Sequence, residues 1–315
     1  MQNLLISFNV VFPIFIMMFL GFFLKEKNFL SEKTLDELNK VTFRFFLSSM
    51  LFLNIYNIGS LDFLCRENLP FILFPIPIIL ASIFISWLLF VKVAPTQKQL
   101  SVMIQGAFRS NFIIYGITIV GALHGNEGVS IVSTLPFIVI PLYNSFAVII
   151  LEYYRGEKVN RMRIVKSTIK NPLILASILA IILLKLNITL PNIVQKSISD
   201  LAKITTPIAF IILGASLKFE SLKNNFKLIM CTNTLRLIVF PLFAILIAHF
   251  LGFGKLQIAS YLAVFATPTA VSSFTMAKEM NADYDLAAEI VVSTSIFSIL
   301  TLFIWIFILK TLAWI

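Results

Sequence analysis

Apolar positions along the 315 residues fall into ten long runs divided by short polar stretches: about 4–24, 36–58, 69–91, 99–122, 129–154, 170–187, 196–217, 226–251, 256–279 and 285–309. A helix rises about 1.5 Å per residue, so some 20 apolar residues match a hydrocarbon layer of about 30 Å. The pattern therefore predicts an all-α polytopic membrane protein with ten transmembrane helices. The first run has no Lys or Arg ahead of it and so lacks the basic start of a secretory signal. It is read as a spanning helix.

Two runs are interrupted by residues that a plain membrane helix would not carry. In run four Arg109 stands eleven residues after Lys98, which on a straight helix is roughly 16 Å deep. Ser110 and Asn111 lie beside it, with Gly116 two turns on. A guanidinium at the bilayer centre costs about 2.5 to 3.5 kcal/mol on insertion scales, unless it faces protein, water or a ligand. Irregular backbone at that depth occurs where it lines a cavity or is buried in protein. Run four is thus predicted to be a broken helix bordering a binding site. In run nine, Thr267-Pro268-Thr269 lies in the middle of the apolar stretch. Proline removes a backbone hydrogen bond and clashes with the preceding turn, so this helix too should break. Thr267 as N-cap and Pro268 as first helical residue would restart it, with its positive N-terminal dipole aimed at the midplane.

The two halves of the chain resemble each other. Glu37-Leu-Asn-Lys-Val-Thr in run two matches Asp200-Leu-Ala-Lys-Ile-Thr in run seven, 163 residues on. The same offset lays Ala107 on Ala270 and Ser110 on Ser273, while Pro13 answers Pro172 at a slightly different offset. These matches predict a first five-helix repeat at 1–154, a basic cytoplasmic loop at 155–169 and a second repeat at 170–315. An odd number of spans forces the second repeat to be inverted, and broken helices at matching repeat positions point to a transporter's substrate site.

Composition agrees, at 59% apolar and 13% charged residues. A formal charge of +10 would point to nucleic acid were most of the basic residues not in short loops. Fifteen Lys and Arg fall in the loops after odd-numbered runs and five in the others, which places both termini outside the cytoplasmic membrane. The loop RGEKVNRMRIVK is then cytoplasmic, a topology determinant that can also meet anionic lipid headgroups. Cys65 and Cys231 make neither a disulfide framework nor a metal-ligand spacing. No cofactor, metal or nucleic-acid partner is expected.

The motifs resemble those of the auxin efflux carrier family of permeases, bacterial members included. The strongest match is Pro268-Thr-Ala-Val-Ser-Ser-Phe-Thr-Met-Ala-Lys. It is supported by Asn111 with Gly116, Asn171-Pro172, Pro207 with Gly214-Ala-Ser-Leu217, Leu235-Arg236 with Pro241, and Pro141-Leu-Tyr-Asn144. Thr118 stands where many relatives have a crossover proline, and Ser48 occupies another proline position. The resemblance implies a fold similar to that of bile-acid sodium symporters. In such folds the fourth and ninth helices cross at their unwound centres in a transport domain, which moves against a scaffold domain that often forms a homodimer. It also implies small organic anions as substrates, such as malonate, malate or an auxin-like acid.

Candidate substrate contacts follow from depth and chemistry. Arg109 can donate two parallel hydrogen bonds to a carboxylate, or serve instead as a structural cation bonded to unwound carbonyls. Ser110, Asn111, Thr118, Thr267, Pro268, Thr269, Ser272 and Ser273 lie at or near the breaks, where polar groups can reach substrate, hold a coupling ion (proton or sodium) or join helices. Tyr143 and Asn144 of run five are expected to line the cavity. Arg236 and Arg44 are expected to reach back towards the cytoplasmic interface, Glu289 to sit near that surface, and His124 to fall in an outer loop. The expected function is secondary active transport of a mono- or dicarboxylate by alternating access; a ligand-sensing receptor or a channel on the same fold is the alternative. Catalysis is not expected, since the chain offers no membrane-depth nucleophile with a base, no Asp pair and no HExxH helix.

Overall fold

The computed structural model describes residues 2–59, 68–156, 169–217 and 224–315, with side chains from residue 12 onward, and no β-strand occurs among them. Most of the loop expected at 155–169, and Cys65, lie outside the described residues. Helices occupy every predicted apolar run. They are α1 (Gln2–Glu26), α2 (Glu32–Val41), α3 (Leu47–Tyr56), α4 (Leu69–Leu73), α5 (Pro75–Phe90), α6 (Gln97–Phe108), α7 (Phe112–Val132) and α8 (Pro136–Tyr153) in the first half. The second half holds α9 (Pro172–Lys185), α10 (Asn192–Ala215), α11 (Phe226–Thr234), α12 (Phe240–Phe250), α13 (Lys255–Ala266), α14 (Ser272–Glu279) and α15 (Tyr284–Thr311).

Local sequence explains most starts and stops. Ser31, Thr96, Asn171 and Asp283 each accept a hydrogen bond from a first-turn N–H, satisfying one of the donors a helix start leaves open. Pro172 follows Asn171 at the first helical position, where its missing N–H costs nothing. Two single wide π-turns, Thr42–Phe46 and Leu235–Val239, join α2 to α3 and α11 to α12 without a break in the rod. Run four extends further than its apolar stretch. His124, expected in a loop, is helical, and α7 bends just after it because Gly125 takes a left-handed φ of 63°.

Among the described residues five helical stretches are long and apolar enough to cross a membrane: Leu69–Phe90, Pro136–Tyr153, Asn192–Ala215, Phe226–Phe250 and Tyr284–Thr311. Their outward faces are apolar, with Phe84, Phe243 and Phe307 all exposed, as a protein solvated by lipid rather than water allows. One group of helices is α1, α3, α9 and α10, in which α1 packs on α10 and α3 packs on both α9 and α10. The contact is closest where Gly21 meets the Ile211 backbone and Gly214 meets the Met18 backbone, and neither position has room for a Cβ. In the rest of the molecule α7 packs on α13, α5 on α6, α12 on α13, and α11 and α14 on α15.

Candidate functional site

Runs four and nine are both interrupted in the interior, and the interruptions touch. Helix α6 ends at Phe108, Arg109 is extended (φ −85°, ψ 125°), and α7 begins at Phe112 after Asn111. Helix α13 ends at Ala266 and α14 begins at Ser272. Between them Ser110 and Thr269 form one antiparallel bridge, in which the Asn111 N–H donates to the Pro268 carbonyl at 2.8 Å. Gly116 then lets α7 cross α13, since a Cβ there would lie 2.8 Å from that of Ala263.

This differs from the expected restart at Pro268. Thr267 precedes a proline, which forces it out of the helical region; at φ −75° and ψ 155° it ends α13 instead of capping α14. Its hydroxyl returns to the Ala263 carbonyl at 2.9 Å. Ser110 and Thr269 are bridged 159 positions apart, the separation of Pro13 and Pro172 and not the 163 between the matched segments of runs two and seven.

Two buried arginines serve the breaks in opposite ways. Arg236, expected to reach for the interface, is 1% exposed and turns inward. Its Nε donates to the Thr267 carbonyl, Nη1 to those of Ala107 and Phe108, and Nη2 to that of Val264, at 2.9 to 3.4 Å. These are the last carbonyls of α6 and α13, so one cation satisfies acceptors at two helix C-termini and opposes both negative dipole ends.

Arg109, 3% exposed, bonds only to side chains. Nη2 donates to Asn144 Oδ1 at 2.8 Å and Ser272 Oγ at 2.9 Å, while Nη1 reaches Gln105 Oε1 at 3.4 Å and Met276 Sδ. Its Nε–H has no hydrogen-bond partner, and no carboxylate among the described residues pairs with it.

Arg109 borders a cavity of about 60 Å³. Ser110, Asn111, Tyr143, Asn144 and Ser272 line it as well, with Ser110 donating to the Tyr143 hydroxyl at 3.2 Å. The first residues of α7 and the residues leading into α14 also line it, so two helix starts border the cavity beside Arg109; at α14 the Ser273 and Phe274 N–H groups are already held by the Ala270 and Val271 carbonyls. Arg109 is the only charged residue lining this cavity among the described residues. The other predicted candidates do not line it. Thr269 is buried with its hydroxyl on the Gly106 carbonyl at 2.7 Å, Ser273 is buried, and Pro268 and Thr267 hold the linker. Thr118 is exposed two turns along α7 and bonds the Ile114 carbonyl. The cavity is lined in addition by Thr42, Asn54, Thr205, Thr206 and Thr275, which sequence reasoning missed because none of them stands at a break or at an unusual depth in its own run. Glu289 is buried rather than superficial and accepts from Asn225 Nδ2 at 2.7 Å. Among the described residues no three His, Cys, Asp or Glu side chains gather as a metal site would need.

The two ends of the cavity differ. Asn54 and Ile113 also line a wider vestibule of about 440 Å³, together with Asn57, Ile117, Ser130, Ser133 and Thr134. Next to Thr42 and Thr275, in contrast, α14 is tied to α2 and the π-turn after it. Lys278 pairs with Asp36 at 3.1 Å, Arg44 pairs with Glu279 at 3.3 Å, and Asn39 Nδ2 donates to the Thr275 carbonyl at 3.3 Å.

Residues 6–306 match the family described as membrane transport protein. The chain is 26% identical over 313 residues to a protein named as an uncharacterized transporter from Methanocaldococcus jannaschii, covering 96% of this chain and 98% of that one. It is 22% identical over 300 residues to another of the same description from Methanothermobacter thermautotrophicus, covering 95% and 97%.

Proposed function

The chain belongs to this membrane transport protein family, that of the auxin efflux carriers, and from that premise we propose that it is a secondary transporter that binds a small organic anion at Arg109. One observation carries the reading: a buried guanidinium with an unused N–H, no acidic partner and two helix starts converging beside it. Left so, a buried cation is costly; an incoming carboxylate would supply the missing charge. Volume sets the scale. At about 10 to 15 Å³ per water-sized group, the cavity holds roughly four to six such groups, which fits a short carboxylate and is small for an auxin-like acid.

Ten spans in two inverted repeats are the architecture we assign, and packing supports it. The α1–α10 contact has its counterpart in α3–α9, the α5–α6 contact in α12–α13, and the α11–α15 contact in α5–α8, as a two-fold relation between the halves requires. In this reading α1, α3, α9 and α10 form the scaffold, through which a homodimer would assemble, and the crossing helices belong to the moving part. The charge bias of the loops puts both termini outside the cytoplasmic membrane. The ion-paired end is then cytoplasmic and the vestibule faces outward. Access from one side only favours alternating access over a channel.

The ion pairs act as a latch on that equilibrium. Each pair joins a surface side chain to a largely buried one; at the surface-pair scale of about 0.2 to 1 kcal/mol each, Asp36→Asn with Arg44→Gln should raise cytoplasmic labelling of a cysteine placed at Thr275 by at least about 2- to 30-fold. An unchanged labelling rate would mean that the pairs do not hold the cytoplasmic end closed.

Uptake of labelled short carboxylates into proteoliposomes, with pH, sodium and voltage gradients imposed separately, tests the function itself. Accumulation under one gradient, abolished in Arg109→Gln, is expected. A folded protein that accumulates none of them would instead favour the receptor reading.

A further inference from the structure

Buried Ser and Thr hydroxyls in this fold mostly return to a carbonyl in the preceding turn, as at Ser177, Thr232, Thr294 and Ser295. Thr42, Thr205 and Thr275 do not. They are 0%, 2% and 1% exposed, and their hydroxyls have no hydrogen-bond partner among the described residues. The Asn54 amide nitrogen is buried and unpartnered in the same way. All four residues line the cavity that holds Arg109. Other buried hydroxyls without a partner among the described residues, those of Ser86, Ser216, Ser273 and Thr301, do not line it.

Leaving a buried polar group unmade costs more than the net worth of the bond it could form. Four such groups around one small cavity, on a π-turn, α3, α10 and α14, are therefore a second recognition surface. They differ in kind from the first. Arg109 and the two helix starts offer positive charge; these offer neutral hydroxyls and an amide, and Arg109, the one charged residue lining the cavity among the described residues, is matched by the first carboxylate. Neutral donors suit an uncharged oxygen. A second carboxylate would be desolvated there without a counter-charge, and an alkyl tail would leave the hydroxyls unpaired.

Resting on the carboxylate reading above, we propose that Thr42, Asn54, Thr205 and Thr275 bind the distal end of the substrate. The preferred substrate is a short monocarboxylate carrying a hydroxyl or keto oxygen. These residues set specificity while Arg109 sets affinity for the anion.

Binding of lactate, pyruvate, propionate and malonate to the purified full-length protein, measured by calorimetry, tests this. Lactate or pyruvate should bind at least about 10-fold more tightly than propionate, which lacks the oxygen, and more tightly than malonate, which adds a charge. The double variant Thr42→Val, Thr205→Val keeps side-chain volume and removes two hydroxyls. It should bring lactate and propionate to within about 3-fold while propionate affinity holds or improves. Thr42→Ser with Thr205→Ser should keep the wild-type preference. Equal wild-type affinity for lactate and propionate, tightest binding of malonate, or equal weakening of every anion by the valines would overturn the proposal. The carboxylate reading would survive each of these if Arg109→Gln abolishes anion binding, and would itself fall if Arg109→Gln binds them like wild type or wild type binds none.

Discussion

Arg236→Gln is expected to lower thermal stability in detergent severely, in the absence of any substrate. The guanidinium satisfies the carbonyls of Ala107, Phe108, Val264 and Thr267, and glutamine can reach few of them while carrying no charge. Removing one partner from a buried charged network costs about 3 to 5 kcal/mol, because the acceptors left behind are buried at two helix ends. Lysine keeps the charge but lacks the fork that meets carbonyls on several sides, so Arg236→Lys should recover only part of the loss. A melting temperature within a few degrees of wild type for Arg236→Gln would show that the crossing holds without this cation.

Arg109→Gln should do the reverse. The residue bonds side chains only, and its Nε–H is unused, so replacing an unpaired buried cation with a neutral amide is expected to change unliganded stability by no more than about 1 kcal/mol. Anion affinity should fall by about 10- to 100-fold or more, since hydrogen bonds to charged groups are worth about 1.5 to 3 kcal/mol. Arg109→Lys should fall between, having lost two-pronged geometry but not charge. Calorimetric titration with a short carboxylate measures affinity, and thermal denaturation measures the control. If Arg109→Gln binds as wild type does, or unfolds before any ligand is added, the residue is part of the scaffold and the anion site lies elsewhere. Opposite outcomes at two buried arginines separate a cation that holds the crossing together from one that waits for a ligand.

How much of this could be read from the chain depended on the kind of signal. Helical runs were legible because hydropathy over some 20 residues needs no tertiary information. Arg109 stood out because its depth follows from counting along one helix, and the break at Pro268 because proline acts on its own backbone. The position of the restart was misread. The Thr267 hydroxyl turns back to Ala263 and Thr269 is held extended by its bridge to Ser110, a partner from another run, so α14 begins only at Ser272. Arg236 was misplaced by the same counting that succeeded for Arg109. Nothing within its own helix reveals that the carbonyl ends of two other helices converge on it. Thr42, Asn54, Thr205 and Thr275 were missed as site residues for a related reason. Thr42 and Thr205 end the matched segments of runs two and seven and Thr275 stands in the run-nine motif, but their place at one cavity follows only when three separate stretches of chain meet there.

The π-turns give the molecule a property that a contact inventory misses. A π-turn holds one residue more than an α-turn, so winding Thr42–Phe46 into α geometry at unchanged chain length would rotate everything beyond by about 100°. Leu47, Met50, Leu51 and Asn54 would swing away from the cavity together, while every apolar run kept its length and hydropathy. The second π-turn, Leu235–Val239, contains Arg236 itself. The angular phase of two long rods, and with it the aim of the side chains around the crossing, is thus set at two points by one residue each.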